Sequence, residues 1–161
     1  MSKAAGEFSA LLLFLTAQLH GTLSRWRDVT PPDFVIAVKA SRFITHIRRL
    51  EEPAETVKPY LDLIGSPGSK PGPVLFQLPS RFPFNGDKLN AFCKVLSDDL
   101  RYVFEFRDHD WYRQETCDIL RNHNIAFRMY NFYGTQSPET VTADFNYIRF
   151  HGPLKTPHRG A

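Results

Sequence analysis

Short apolar runs of strand length alternate with segments of helical periodicity along this chain, and this alternation limits its fold most strongly. Five runs rich in β-branched and aromatic residues predict strands at 34–40, 73–79, 101–106, 125–130 and 145–150. Helical patterns precede or separate them at 8–27, 53–64, 85–96 and 110–124. Such alternation with short connections predicts βα units, a parallel sheet and an α/β fold class.

Two architectures are compatible with five parallel strands. One is an open, doubly wound sheet, and the other is part of a (β/α)₈ barrel. A full barrel takes about 250 residues, whereas this chain has 161. A barrel built from this sequence would therefore be incomplete.

Composition limits the kinds of ligand and environment that suit this protein. The net charge of +3 suits an anionic ligand, but no Lys/Arg block is dense enough for a nucleic-acid-binding tail. Cys93 and Cys117 have no metal-ligand spacing, which predicts reduced thiols in a cytoplasmic protein without a bound metal. The apolar stretch 10–19 is shorter than the roughly 20 residues of a membrane span, so no membrane partner is expected.

Polar side chains come late in four of the five apolar runs. These residues are Lys39, Gln77, Glu105, Arg107, Tyr147, Arg149 and His151. Alternate residues of a strand share a face, and ligands of parallel α/β folds bind at the carboxyl ends of the strands. The pattern therefore predicts one shared polar site at that end.

A purely structural role is the alternative explanation for these charges. Glu105 could pair with Arg149 or Lys39 as a buried ion pair that fills the mouth of a barrel. The recurrence of polar groups on four strands favours a site over this alternative. Trp26 and Trp111 lie in helical patterns, where packing in the core is the ordinary expectation.

Four segments resemble, in order, the motifs of the YecE-like family, catalogued as domain of unknown function 72. They are "RWRDVTPPDFVIAVKASRFITH", "KPGPVLFQLPSRF", "YVFEFRDHDWY" and "TADFNYIRFHGP". The resemblance runs from about Leu23 to the C-terminus and implies a TIM-barrel-like fold. The strands here would be similar to the third to seventh strands of the barrel.

The ends of the chain depart from the family pattern. Its first two strand motifs and its eighth strand are not found, and "MSKAAGEFSALLLFLT" stands in place of the former. We therefore expect an atypical helical segment at 1–22 and an incomplete barrel domain at 23–161, truncated at both ends. Exposed strand edges of such a domain are expected to self-associate.

The resemblance also implies candidate site residues by motif. They are Lys39, Arg42, Thr45, His46, Gln77, Glu105, Arg107, Trp111, Tyr147, Arg149 and His151. In the first hypothesis the protein is an enzyme, or an enzyme remnant, acting on a small anionic or sugar-like substrate. Glu105 and His151 would carry protons, and the other cationic, amide and aromatic groups would bind the substrate.

Two other hypotheses stay open at the level of sequence. The second is a nucleic-acid-binding or processing module in which Tyr147, Trp111 and Phe106 stack on bases. The third is a truncated product without catalysis. The sequence names neither a reaction nor a cofactor.

Overall fold

The computed structural model describes residues 21–22, 24–26, 28–65, 71–132 and 135–150. Seven strands lie in this part of the chain: β1 (Ile36–Lys39), β2 (Pro71–Gln77), β3 (Tyr102–Glu105), β4 (Ala126–Phe127), β5 (Met129–Phe132), β6 (Thr135–Gln136) and β7 (Ile148–Phe150). The helices between them are α1 (Pro53–Thr56), α2 (Lys58–Ile64), α3 (Gly86–Cys93) and α4 (Gln114–Asn122). A π-helical turn spans Phe43–Ile47, and a 3₁₀ turn spans His109–Trp111.

The parallel strands follow one another in space in the order of the sequence. β1, β2, β3 and β4 form one parallel sheet, and β5 pairs in parallel with β7 and antiparallel with the short β6. Between β4 and β5, the Arg128 amide donates to Phe104 O at 2.8 Å and the Met129 amide to Tyr147 O at 3.2 Å. Residues 126–132 therefore pair first with β3 and then with β7. The strands together form a continuous wall, as in part of a (β/α) barrel.

The helix-facing side of this wall holds a large aromatic core. Phe76 and Phe104 stack at a centroid distance of 5.3 Å, and Phe92 of α3 packs edge-on against both. Val74 and Leu89 are fully buried in the same cluster. The hydrophobic faces of the helices are thus satisfied against one side of the sheet.

The opposite side of the sheet corresponds to the barrel interior. Leu75, Val103 and Ala126 form a small buried cluster there, covered by Phe145 and Tyr147. Side chains alternate between faces along a strand. The residues two positions later on each strand therefore lie on the same interior side, at the carboxyl end.

Most predicted elements are confirmed, with local breaks that have physical causes. The predicted helix 53–64 is divided at Val57, because Pro59 has no amide hydrogen and stands in the first turn of a second helix. Asn85 caps α3, its side chain accepting from the Lys88 amide at 2.8 Å. The predicted loop after 130 contains β6, and residues 8–20 of the predicted first helix lie outside the described residues.

An exposed apolar stretch precedes β1. Trp26 is 46% exposed, so the expectation that it packs in the core is wrong. Val29, Phe34 and Val35 are also exposed, and in the described part of the chain β2 is the one strand that pairs with β1. Among the described residues, no helix has both the length and the apolarity needed to cross a membrane.

Candidate functional site

Gln77 links the ends of β1 and β3. The Lys39 ammonium donates to Gln77 Oε1 at 2.7 Å, and Gln77 Nε2 donates to Glu105 Oε1 at 2.7 Å. An ammonium group only donates and a carboxylate only accepts, so both ends of the amide are matched by its neighbours. The Tyr60 hydroxyl donates to the Lys39 carbonyl at 2.9 Å and anchors the end of β1.

Glu105 lies at the centre of this polar group and is almost completely buried, with an exposure of 3%. Its Oε1 accepts from Gln77 and also from Arg107 Nε, at 3.2 Å. Its Oε2 is paired with Nη1 of Arg128. All of these partners are donors, which favours the ionised carboxylate and offsets the cost of burying it.

Arg128 belongs to this polar group, although it is not among the residues that the sequence pattern singles out. It is 2% exposed and lies between β4 and β5, two residues after the interior-facing Ala126. The signal was a lone charge inside the apolar run 125–130, the same kind of signal that singled out Glu105. Arg128 therefore supplies the buried partner of Glu105, and Lys39 is linked to the carboxylate through Gln77.

A histidine borders the same group of charges. His46 lies in the π-helical turn after β1, and its Nδ1 is 2.8 Å from the hydroxyl of the buried Thr45. Burial lowers the pKa of His46, and the positive charges of Arg42, Lys39, Arg107 and Arg49 lower it further. The motif residues Arg42, Thr45 and His46 are thus brought next to the strand ends.

Trp111 is not part of this group. It is fully buried, its indole N–H donates to Phe82 O at 2.6 Å, and it stacks on Phe106 at 4.8 Å. The expected contact between Trp111 and a substrate is therefore not supported. The reason is that the 3₁₀ turn at His109–Trp111 directs the indole into the helix-side core.

The remaining candidates come from β7 and its flanks. Tyr147 is half-buried and packs on the interior cluster of Leu75 and Val103. Arg149 lies in β7 with its backbone opposite Tyr130, and His151 lies outside the described residues. Within the described ranges, no three His, Cys, Asp or Glu side chains are grouped to hold a metal.

A cleft lies at the opposite end of the sheet, beside the start of β3. This cleft of about 430 Å³ is bordered by Cys93, Tyr102 and His123. Burial raises the pKa of the Cys93 thiol to about 12, so it is a poor nucleophile at neutral pH. Active sites of barrels lie at the carboxyl ends of the strands, so the charged group there is the stronger candidate.

Fold and site together define a partial (β/α)-barrel protein with a buried ion pair and exposed cations at the carboxyl ends of its strands. The chain belongs to the DUF72 family, described as a protein of unknown function, whose family model matches residues 13–160. YecE-like is another name of this family, so the resemblance in the motifs is confirmed. The match begins inside the predicted segment 1–22, and the boundary at 22/23 stays a prediction.

Solved structures show the same fold. A DUF72 family protein of Thermotoga maritima is 25% identical, with a TM-score of 0.59 over 84% of this chain and 56% of its own. A DUF72 family protein of Enterococcus faecalis is 16% identical, with a TM-score of 0.66 over 86% of this chain and 62% of its own. The chain thus spans less than two thirds of either relative, and no curated protein matches its sequence.

Proposed function

We propose that the carboxyl ends of β1, β2 and β3 bind a small anionic or sugar-like molecule, and that this site belongs to an enzyme or to the remnant of one. The observation that carries the proposal is the charge of the group. Three cationic side chains, Lys39, Arg107 and Arg128, surround the single carboxylate of Glu105. Cationic side chains gathered around one buried carboxylate, two of them with exposed ends, suit an anionic ligand.

The cationic side chains differ in their exposure to solvent, and only the exposed ones can contact a ligand. Arg128 is buried on Glu105, whereas the Arg107 side chain is 53% exposed and Lys39 and Arg42 are exposed. Arg107 is held to Glu105 through Nε. Its terminal nitrogens can therefore form the paired hydrogen bonds that guanidinium groups make with phosphate or carboxylate.

Glu105 is better suited to organise the site than to move a proton. Donors already occupy both of its oxygens, and protonation would break at least one of these interactions. In this proposal Glu105 orients Gln77 and Arg107, so it is a positioning residue. By their motif, Arg149 stays a proposed ligand of the anion and His151 a proposed proton carrier.

The nucleic-acid hypothesis is less well supported. Trp111 and Phe106 have exposures of 0% and 1%, so neither ring is available for stacking on a base. Tyr147 is half-buried on the interior side of the sheet. A small ligand at the strand ends fits this arrangement better, in a cytoplasmic protein whose Cys93 and Cys117 are free and buried.

Calorimetric titration with phosphorylated sugars, sugar acids and sulfate tests the proposal. Replacing Arg107 by Gln removes a charged donor worth about 1.5–3 kcal/mol, so we expect affinity to fall roughly tenfold or more. The matched control is Lys58→Gln, because Lys58 is an exposed cation paired with Asp62 on α2. Equal affinities for both variants, or no binding of any anion, would contradict the proposal.

A further inference from the structure

His46 lies at the edge of the charged group. The π-helical turn Phe43–Ile47 that carries it follows β1 directly, and Phe43, Ile44 and Thr45 of this turn are buried. His46 itself is half-buried, between that core and the strand ends. Three buried side chains thus anchor the backbone of the turn, and the ring itself contacts Thr45.

The hydroxyl of Thr45 determines which nitrogen of His46 carries the proton. Thr45 Oγ1 lies 3.3 Å from Ser41 O and 2.8 Å from His46 Nδ1. A carbonyl oxygen can only accept, so both contacts are hydrogen bonds when the hydroxyl donates to Ser41 and accepts from Nδ1. Nδ1 then bears the hydrogen of the neutral ring, and Nε2 has the free lone pair.

Positive charges lie near this ring on three parts of the described chain. Lys39 comes from β1, Arg42 and Arg49 from the segment of His46 itself, and Arg107 from the chain after β3. With burial, these charges lower the pKa of His46 below its ordinary value of 6.5, and the ring is neutral at pH 7. Three of these cations, Lys39, Arg42 and Arg107, are the exposed ones assigned above to face an anion.

We propose that Nε2 of His46 is the proton acceptor of this site, acting on a hydroxyl group of an anionic substrate held by Lys39, Arg42 and Arg107. This inference rests on the proposed anion site. The O–H bond of the substrate breaks, an N–H bond forms at Nε2, and the electron pair stays on the substrate oxygen. The substrate class is then a phosphorylated or carboxylated molecule that also carries a hydroxyl, as sugar phosphates and sugar acids do.

A bound anion changes the proton affinity of His46. It partly cancels the field of the surrounding cations, so the imidazolium becomes easier to form once substrate is in place. Thr45 is a positioning residue in this scheme, because its hydroxyl accepts from Nδ1–H and leaves Nε2 as the basic nitrogen. The base is therefore unprotonated before binding and a better acceptor after it.

Nitrogen NMR of the imidazole rings in the full chain tests this assignment. The spectra of wild type and His46→Gln identify the His46 signals, and His109 and His123, on other elements, serve as internal controls. We expect the Nδ1–H tautomer, a protonation midpoint below 6.5, and an upward shift of about one unit on saturation with sulfate, the size that one nearby charge produces. The control histidines should not move with sulfate.

Substitutions of Thr45 distinguish orientation from simple packing. Thr45→Val should abolish the preference for the Nδ1–H tautomer, and Thr45→Ser, which keeps the hydroxyl, should restore it. An Nε2–H tautomer in the wild type would overturn the proposal. The proposal would also be overturned if calorimetry shows that sulfate binds but the protonation midpoint of His46 does not change. In that case the proposed anion site would still be valid. Failure of sulfate and of all sugar acids and phosphates to bind would instead overturn the proposed function and this inference with it.

Discussion

Glu105 and Arg128 form an ion pair across neighbouring strands, and their side chains are only 4% and 2% exposed. Val103 and Ala126, two residues before them, are register partners on β3 and β4. The pair therefore extends the interior face of the sheet from an apolar layer to a charged one. Burying both charges is tolerated because donors engage each oxygen of the carboxylate.

Removal of one member of this pair should be strongly destabilising. We expect Arg128→Met to lower the free energy of unfolding by about 3–5 kcal/mol, because it leaves the Glu105 charge buried with fewer partners. The double variant Arg128→Met with Glu105→Gln should recover part of this loss. Urea unfolding measures both, with exposed Arg121→Met, which removes the surface pair with Asp118, as a control that changes little. Additive effects of the two substitutions would contradict the coupling.

Gln77 should matter through its hydrogen bonds more than through its volume. Gln77→Met keeps the shape but removes the acceptor for Lys39 and the donor to Glu105. We expect a loss of about 1–3 kcal/mol in the free energy of unfolding, the cost of a buried polar group left without its partner. Gln114→Met is the matched control, since that amide bonds Asp118 on an exposed helix surface. Similar unfolding curves for the two variants would show that the amide bridge is unimportant.

The convergence of the polar side chains could be predicted because it depends on the regular geometry of parallel strands. Alternate residues share a face of a strand, and parallel strands end at one edge, so the late positions of Lys39, Gln77 and Glu105 were sufficient to bring them together. The partners of Glu105 could not be predicted in the same way. Its pairing with Arg128 depends on the change of strand partner within residues 126–132. No local sequence pattern predicts that change.

Trp111 shows a second limit of sequence analysis. An aromatic residue just after a strand can face either the ligand or the core, and local spacing does not decide between them. In this protein the Trp111 ring faces the core, where its indole N–H donates to the carbonyl of Phe82, 29 positions away in the chain. Contacts of this range are set by the packing of the whole domain.

Stability should fall on acidification in a way that depends on His46. Its pKa is lowered in the folded state, so between 6.5 and the folded value the unfolded chain binds more protons. The stability due to the neutral ring is complete above pH 6.5 and is lost as the pH falls through that window. Urea unfolding from pH 7.5 to 5 should show a smaller decline in His46→Gln than in wild type. Parallel pH profiles would contradict this.

The edge of β1 should promote self-association of the 161-residue chain. Phe34 and Val35 are 49% and 63% exposed, directly before a strand that pairs with β2 on one side among the described residues. A lysine at such an edge opposes strand pairing between molecules. We therefore expect Val35→Lys to reduce the mass seen by light scattering, and Val95→Lys, at an exposed site beyond α3, to leave it unchanged. A monodisperse wild-type monomer would contradict the prediction.

The position of a bound anion can be observed directly in a crystal. Selenate has the shape and charge of sulfate, and its selenium can be located by anomalous scattering in crystals of the protein. We predict an anomalous peak at the carboxyl ends of β1 and β3, placed so that the selenate oxygens accept hydrogen bonds from Lys39 and Arg107, and loss of that peak in Arg107→Gln. A peak found elsewhere, such as in the cleft beside Tyr102 and His123, with none at the strand ends, would contradict it.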